Sequence, residues 1–139
     1  MNIELVPVKR EDWDIILELR NEFFHMFYRQ TKPIEKEEHY EYLDKNEKNH
    51  NFHHWMIKVN GKVVGYSRIL NEDVGIMIKK EYQSKGIATK ALELLENEAK
   101  KNNIKKLIAL VKIENEESKK IFEKNSYEMK MFWYEKEIN

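Results

Sequence analysis

Between an apolar run ending near Ile78 and an amphipathic run beginning near Ile87 lies Gln83-Ser84-Lys85-Gly86-Ile87-Ala88, a glycine-bearing turn that takes the chain from strand into helix. The junction constrains both fold and chemistry. The first turn of a helix leaves its backbone N–H groups without intrahelical partners, and the aligned peptide dipoles place about half a positive charge there. A phosphate can therefore dock on backbone alone, and Gly86 and Ala88 are small enough to keep its approach open. The helix that follows carries Ala88, Ala91, Leu92, Leu95 and Ala99 on one stripe and is expected to end near Asn102-Asn103.

The elements around this junction follow from periodicity. Ile3, Leu5 and Val6 to Val8 form an expected first strand. Asp12 offers an N-cap to a helix from Trp13 to about Tyr28, whose apolar positions Ile16, Leu19, Phe23 and Phe27 recur at three and four. Pro33 breaks it, and a second, highly charged helix is expected over 35–46, with Tyr40 and Leu43 facing inward. His54 to Val59 and Lys62 to Leu70 read as strands joined at Asn60-Gly61, the strongest short hairpin signal. Asp73 to Lys79 gives a third such run. Five consecutive apolar residues, Leu107 to Val111, suggest a central strand covered on both faces. Asn115 caps a last helix closed by Asn125-Ser126, and Tyr127 to Ile138 is expected to return as a terminal strand. The sum is an α+β fold, a mixed and mostly antiparallel central sheet flanked by helices.

Composition narrows the function classes. At 139 residues the chain is expected to form one domain over 1–139. Its 25 basic and 25 acidic residues cancel, which argues against binding nucleic acid through bulk charge. The absence of cysteine excludes a disulfide scaffold, a thiolate metal site and a cysteine nucleophile. No run approaches the roughly 18 apolar residues of a membrane span, and the start lacks the apolar core of a secretion signal, so a cytoplasmic protein without a membrane partner is expected. His50, His53 and His54 cluster without a nearby carboxylate or an HExxH pattern, so no metal is expected. Neither a P-loop nor a GxGxxG fingerprint is present.

Two segments, VGIMIKKEYQSKGIATKALELLENEA and NEESKKIFEKNSYEM, together resemble the GCN5-related N-acetyltransferases (GNATs). The family's acyl-CoA signature is Gln or Arg, two residues, Gly, one residue, then Gly or Ala. Gln83, Gly86 and Ala88 stand at those positions. Its second signature is met by Asn115, Phe122, Glu123, Lys124 and Tyr127, and the strong coverage runs from about Asp73 to Tyr127.

The resemblance implies an acetyl-CoA-dependent transfer of an acetyl group to a primary amine of a small molecule, by direct attack in a ternary complex, in a monomer or a homodimer. Gln83, Ser84, Lys85, Gly86, Ile87 and Ala88 would hold the pyrophosphate. Ile76, Met77 and Ile78 would pair with the pantetheine arm, with a backbone N–H near Met77 or Ile78 facing the thioester carbonyl. Asn115, Ser118 and Phe122 would complete the cofactor site. Asp73 falls where many members place a carboxylate, and would serve the amine through a water relay or from a buried setting. Many relatives protonate the departing thiolate with a tyrosine where this chain has Phe122. Ser118, Tyr127 and Tyr134 are the alternatives. Arg20 with His39 resembles the subgroup acting on nucleotide-linked amino sugars. Arg20, Arg29 and Arg68 would suit such an anionic acceptor, and the acidic run Glu35 to Glu41 a polyamine. Protein α-amines are a further acceptor class, and a cofactor-binding sensor without turnover is the rival reading that Phe122 motivates.

Overall fold

The computed structural model of the chain describes residues 1–28 and 30–139. In chain order its regular elements are β1 (Ile3–Pro7), α1 (Trp13–Phe23), α2 (Lys36–Glu47), β2 (Phe52–Val59), β3 (Lys62–Leu70), β4 (Asp73–Ile78), α3 (Ile87–Lys101) and α4 (Glu116–Lys124). The strands form one antiparallel sheet in the order β1-β2-β3-β4. Asn60 (φ 51°) and Gly61 (φ 81°) both take the positive φ that the tight β2–β3 hairpin needs, which matches the right-handed strand twist and pairs Val59 with Lys62.

Strand alternation sends successive side chains to opposite faces, and both faces are covered. Phe52, Met56, Tyr66 and Met77 meet Trp13, Ile16, Leu19 and Phe23 of α1 and Leu43 of α2. On the other face Trp55, Ile69 and Val74 meet Leu92, Leu95 and Ala99 of α3 and Phe122 of α4. Ile57, Val64 and Ile78 pack on Ile87 and Ala91 beside them. The apolar stripe of α3 is therefore the seam that fixes the glycine turn against the sheet. Truncating Leu92 or Leu95, each essentially inaccessible, would cost about 2–5 kcal/mol.

Three sequence expectations need correction. The helix from Trp13 stops at Phe23 rather than Tyr28, because Phe23 leaves helical geometry (ψ 11°) and a single 3-10 turn, Phe24–Met26, follows. The bulky run Phe23-Phe24-His25-Met26-Phe27 buries Phe23 in the core while Phe27, in extended conformation, packs at the edge of that core, so a three-to-four spacing there marks two directions rather than one helix face. Leu107 to Val111 is not a central strand. It touches the sheet through one parallel bridge, Asp73 with Ile108, and alternates between partly buried Leu107, Ala109 and Val111 and exposed Ile108 and Leu110. The run is apolar but covered on one side only. Tyr127 to Ile138 does not form a strand either. No ladder partner meets it among the described residues, and Met129, Met131, Phe132, Trp133, Tyr134 and Ile138 lie exposed.

In α2 the inward residues are His39, Leu43 and Asn46, spaced four and three apart, with Tyr40 packed partly against the core. That inward histidine shapes the site.

Candidate functional site

β4 is the outer strand of the sheet, and its free edge opens into a wedge. Val74 N–H donates to the Ile108 carbonyl at 2.8 Å and Ile108 N–H to the Glu72 carbonyl at 2.8 Å. Beyond that single contact no further bridge joins the two segments. Val74 turns its N–H away from β3, so alternation turns the backbone groups of Ile76 and Ile78 outward as well, and those of Met77 toward β3. Ile78's carbonyl is taken up by the Gln83 side-chain amide at 2.9 Å. Ile76 is left as an open peptide edge able to pair with an extended amide chain.

Past the end of β4 the chain reaches the glycine turn. Ser84 (φ 62°) and Gly86 (φ 80°) are left-handed, and Gly86 is the N-cap of α3. The N–H groups of Ser84, Lys85, Gly86, Ile87 and Ala88 have no hydrogen-bond acceptor among the described residues. A Cβ added at Gly86 would meet nothing within 4 Å, so the turn faces open space. Five free donors at a helix N-terminus with an unobstructed approach fit a diphosphate. Lys85 lies with its ammonium 5.8 Å from the Tyr82 ring centre, beside the turn rather than across it.

The wedge leads into two adjoining clefts. The smaller, about 40 Å³, is lined by Val74, Gly75, Ile76, Leu110, Asn115, Ser118 and Phe122 among others. Asn115 accepts from Ser118 N–H at 3.2 Å as the N-cap of α4, which fixes both residues at the cleft wall. The larger cleft, about 400 Å³, lies on the α1/α2 side, and shares Phe27, Val74, Gly75, Ile76 and Leu110 with the first. Arg20, Arg68, Asp73, Tyr42 and Tyr66 reach it from α1, β3, β4 and α2.

Arg68, Asp73, Arg20 and Tyr66 of this larger cleft are each held by a polar contact. Arg68 lies across Gly75, where an added Cβ would come within 3.2 Å of its Cγ and Cζ, and donates to the Asp73 carbonyl at 3.2 Å, with Asp73 Oδ2 at 3.5 Å. Arg20 Nη1 stands 3.0 Å from His39 Nδ1, and His39 Nε2 is 2.8 Å from the Trp13 carbonyl oxygen. Burial lowers the pKa of His39, against the pull of that carbonyl, and so keeps the ring neutral. Burial also lowers that of Arg20; nearby Tyr42 and Tyr66 oppose the shift and Arg68 adds to it. The Tyr66 hydroxyl lies 3.0 Å from His54 Nδ1. Burial raises the Tyr66 phenol well above its ordinary value and brings His54 down to about 4, so a protonated phenol and a neutral imidazole share this hydrogen bond.

The structure thus gathers Ile76, Asn115, Ser118 and Phe122 at the smaller cleft and Arg20, Arg68, Asp73 and Met77 at the larger, with His39 directly behind Arg20. It does not bring Tyr127 or Tyr134 to either. The Tyr127 hydroxyl is buried among apolar neighbours with no hydrogen-bond partner and is pushed up to about 12, while Tyr134 is 91% exposed. Arg29 lies outside the described residues. Sequence reasoning missed Tyr66, Tyr42, Gly75 and Leu110. Gly75 carried a signal, since a lone glycine inside a strand marks a close approach.

Among the described residues no three His, Asp or Glu side chains gather to hold a metal ion, and no helix is long and apolar enough to cross a membrane. Residues 13–127 match the sequence profile described as the acetyltransferase (GNAT) family. No curated protein matches the chain. Among solved structures it is similar to a domain from Methanocaldococcus jannaschii DSM 2661, at 24% identity over 91% of this chain and 88% of that one, with a TM-score of 0.79. It is similar also to an N-acetyltransferase from Staphylococcus aureus Mu50 (24% identity, 91% and 83% covered, TM-score 0.73). A third likeness is to spermidine N-acetyltransferase from Vibrio cholerae, in a structure with CoA and spermine (22% identity, 88% and 78%, TM-score 0.77). At these identities the likeness is one of fold.

Proposed function

The chain belongs to the GNAT family of acetyltransferases, and from its clefts we propose that it is an N-acetyltransferase that moves an acetyl group from acetyl-CoA to a primary amine of a small molecule in a ternary complex. The observation that carries the reading is the continuity from the five free N–H donors of the glycine turn, along the open edge at Ile76, into two clefts that share Gly75 and Leu110.

When bound, acetyl-CoA supplies a thioester whose carbonyl carbon bonds to the amine nitrogen as the carbon–sulfur bond breaks and the sulfur leaves as a thiolate. The turn from Ser84 to Ala88 would hold the diphosphate on backbone N–H groups, the Gln83 N–H being spent on the Lys80 carbonyl, and the Ile76 peptide edge would pair with the amide arm. An outward N–H on β4, from Ile76 or Ile78, stabilises negative charge developing on the carbonyl oxygen. Asp73, with its side chain 20% exposed on the acceptor side of β4, takes the amine's proton through a water. Phe122 has no proton to give, and Ser118 Oγ is the hydroxyl at the wall of the smaller cleft. A thiolate of pKa about 8.5 leaves without strong acid assistance, so Ser118 orients the water that protonates it.

A nucleotide-linked amino sugar fits the larger cleft better than a polyamine or a protein α-amine does, because its lining sets Arg20, Arg68 and Lys32 against Glu38 and Asp73, and Asp73 is already paired with Arg68. Phe122 supports one further reading, a cofactor-binding sensor without turnover. The deciding experiment is thermal stability with and without acetyl-CoA, followed by thiol release with amino-sugar nucleotides, polyamines and amino-terminal peptides. Stabilisation with acceptor-dependent thiol release is expected. Stabilisation without release from any acceptor selects the sensor, and no shift at millimolar acetyl-CoA overturns both.

A further inference from the structure

We propose that the larger cleft is an anion receptor, in which Arg20, propped by neutral His39 and joined by Arg68, seats a carboxylate or phosphate that the acceptor carries beside its amine. The proposal deepens the acetyltransferase reading and rests on it for the identity of the cleft as the acceptor's.

Arg20 is a part-buried cation with no carboxylate within ion-pair distance among the described residues. Taking a guanidinium out of water is unfavourable unless a counter-charge meets it. Its one hydrogen-bond partner among the described residues is His39, and the proton on that ring is assigned by its other contact. The Trp13 carbonyl can only accept, so Nε2 carries the hydrogen and Nδ1 presents a lone pair to Arg20 Nη1. A protonated ring would set N–H against N–H. His39 is wholly buried, which disfavours that charged form. The Tyr42 ring, 4.9 Å from Arg20 Cζ, supports the guanidinium from another side. Of five N–H donors one is used, and the planar group is held in place with the rest free to meet a ligand at the cleft it lines.

Arg68 is built into the same cleft by different means. Gly75 leaves room for its side chain to lie flat on β4, and Asp73 answers its charge. Arg20 and Arg68 are close enough for Arg68 to disfavour the charge on Arg20. Two guanidinium groups, one from a sheet and one from a helix, line the same cleft, and of the carboxylates Arg20 has only the longer-range pull of Glu38 to set against Arg68, so an anion seated there would relieve the repulsion. Lys32 at the same cleft adds to the attraction, and Glu38, which also lines it and favours the charge on Arg20, stands beyond ion-pair distance of that guanidinium. A polyamine would bring its own ammonium groups against Arg20, so the cleft disfavours that class although a spermidine enzyme shares the fold.

The chain has four arginines, so the Nε–H signals in an arginine ¹H–¹⁵N spectrum of the intact protein can be assigned with four single variants. Titration with inorganic phosphate, and separately with acetate, at constant ionic strength should shift Arg20 and Arg68 saturably and leave Arg10 still. Arg20→Gln should abolish the response at Arg68. A response shared equally by all four, or none, overturns the receptor. In thiol-release assays O-phosphoethanolamine should exceed ethanolamine, or β-alanine exceed β-alaninamide, by about tenfold or more in kcat/KM, and the pair that does so tells phosphate from carboxylate. Arg20→Gln should erase that preference through KM, and His39→Ala should weaken it with kcat retained while His39→Asn, which keeps an acceptor near Nδ1, restores part. Equal use of the uncharged partners or of spermidine overturns the proposal. Loss of the acetyl-CoA thermal shift would instead sink the acetyltransferase reading and leave the anion titration standing.

Discussion

The two sides of the wedge at β4 are built from different materials. On the side proposed to take acetyl-CoA the groups offered are backbone N–H donors from Ser84 to Ala88 and the peptide edge at Ile76, so the side chains there need only be small or turned away. On the acceptor side the groups are Arg20, Arg68, Asp73 and Tyr66, carried by α1, β3 and β4 and fixed by contacts from α2 and β2. A backbone site constrains spacing and conformation. A side-chain site constrains which distant residues meet, and can change its ligand without changing its fold.

The sharpest way to break the comparison is at Gly86, where a side chain costs the free protein little space but occupies the approach to the turn. Gly86→Glu should lower acetyl-CoA affinity by about a hundredfold or more, since it adds φ strain at 80° and a carboxylate where a diphosphate must sit. Isothermal titration with acetyl-CoA measures it. Anion binding at Arg20 should survive, and joint loss would mean that the two sides are not separate.

Asp73 lies at the junction. Asp73→Asn should reduce kcat by about 10–100-fold with little change in acetyl-CoA affinity, if it accepts the amine's proton through water. An unchanged kcat assigns Asp73 to holding Arg68 alone. Smaller again, Gly75→Ala sets a methyl against the Arg68 guanidinium at a backbone position free of positive φ, so that side chain must shift. Acceptor KM should rise about tenfold while the melting temperature hardly moves. A change confined to acetyl-CoA KM would place Gly75 on the wrong side of the comparison.

The same contrast explains what the sequence revealed. The hairpin at Asn60-Gly61, the stripe of α3, the N-cap at Asn115 and the glycine turn are local devices, each completed within a few residues, and each stands where periodicity and turn chemistry put it. Leu107 to Val111 and Tyr127 to Ile138 failed because a strand needs a partner, and an apolar run does not say whether one arrives. His39 stands beside Arg20 in the sequence reading only through a family resemblance. Its burial follows from Trp13 and Arg20, 26 and 19 residues away, and no local pattern carries that. Tyr127 matched a motif, yet the fold directs its hydroxyl into the apolar layer beneath α3 rather than to either cleft.

The side-chain site also makes acid sensitivity its own. His54 is held neutral by burial, hydrogen-bonded to the Tyr66 hydroxyl, and its folded pKa is brought down to about 4 from an ordinary 6.5. Between those values the unfolded chain binds a proton that the folded chain refuses, so stability is complete above about pH 6.5 and declines as pH falls toward 4. Allowing for its part-exposed ring, the loss is about 1–2 kcal/mol, or about 3–7 °C in melting temperature. His39 contributes in the same direction. His54→Asn keeps a hydrogen-bonding partner for the Tyr66 hydroxyl but cannot titrate, so it should flatten part of the decline and leave the remainder to His39. Melting curves at pH 7, 5.5 and 4.5 for the two proteins decide it. Parallel curves would mean that the imidazole charges without cost, hence that the layer beneath the acceptor cleft is wetter than its packing implies, and the rigid side-chain frame contrasted here with the backbone cradle would lose its foundation.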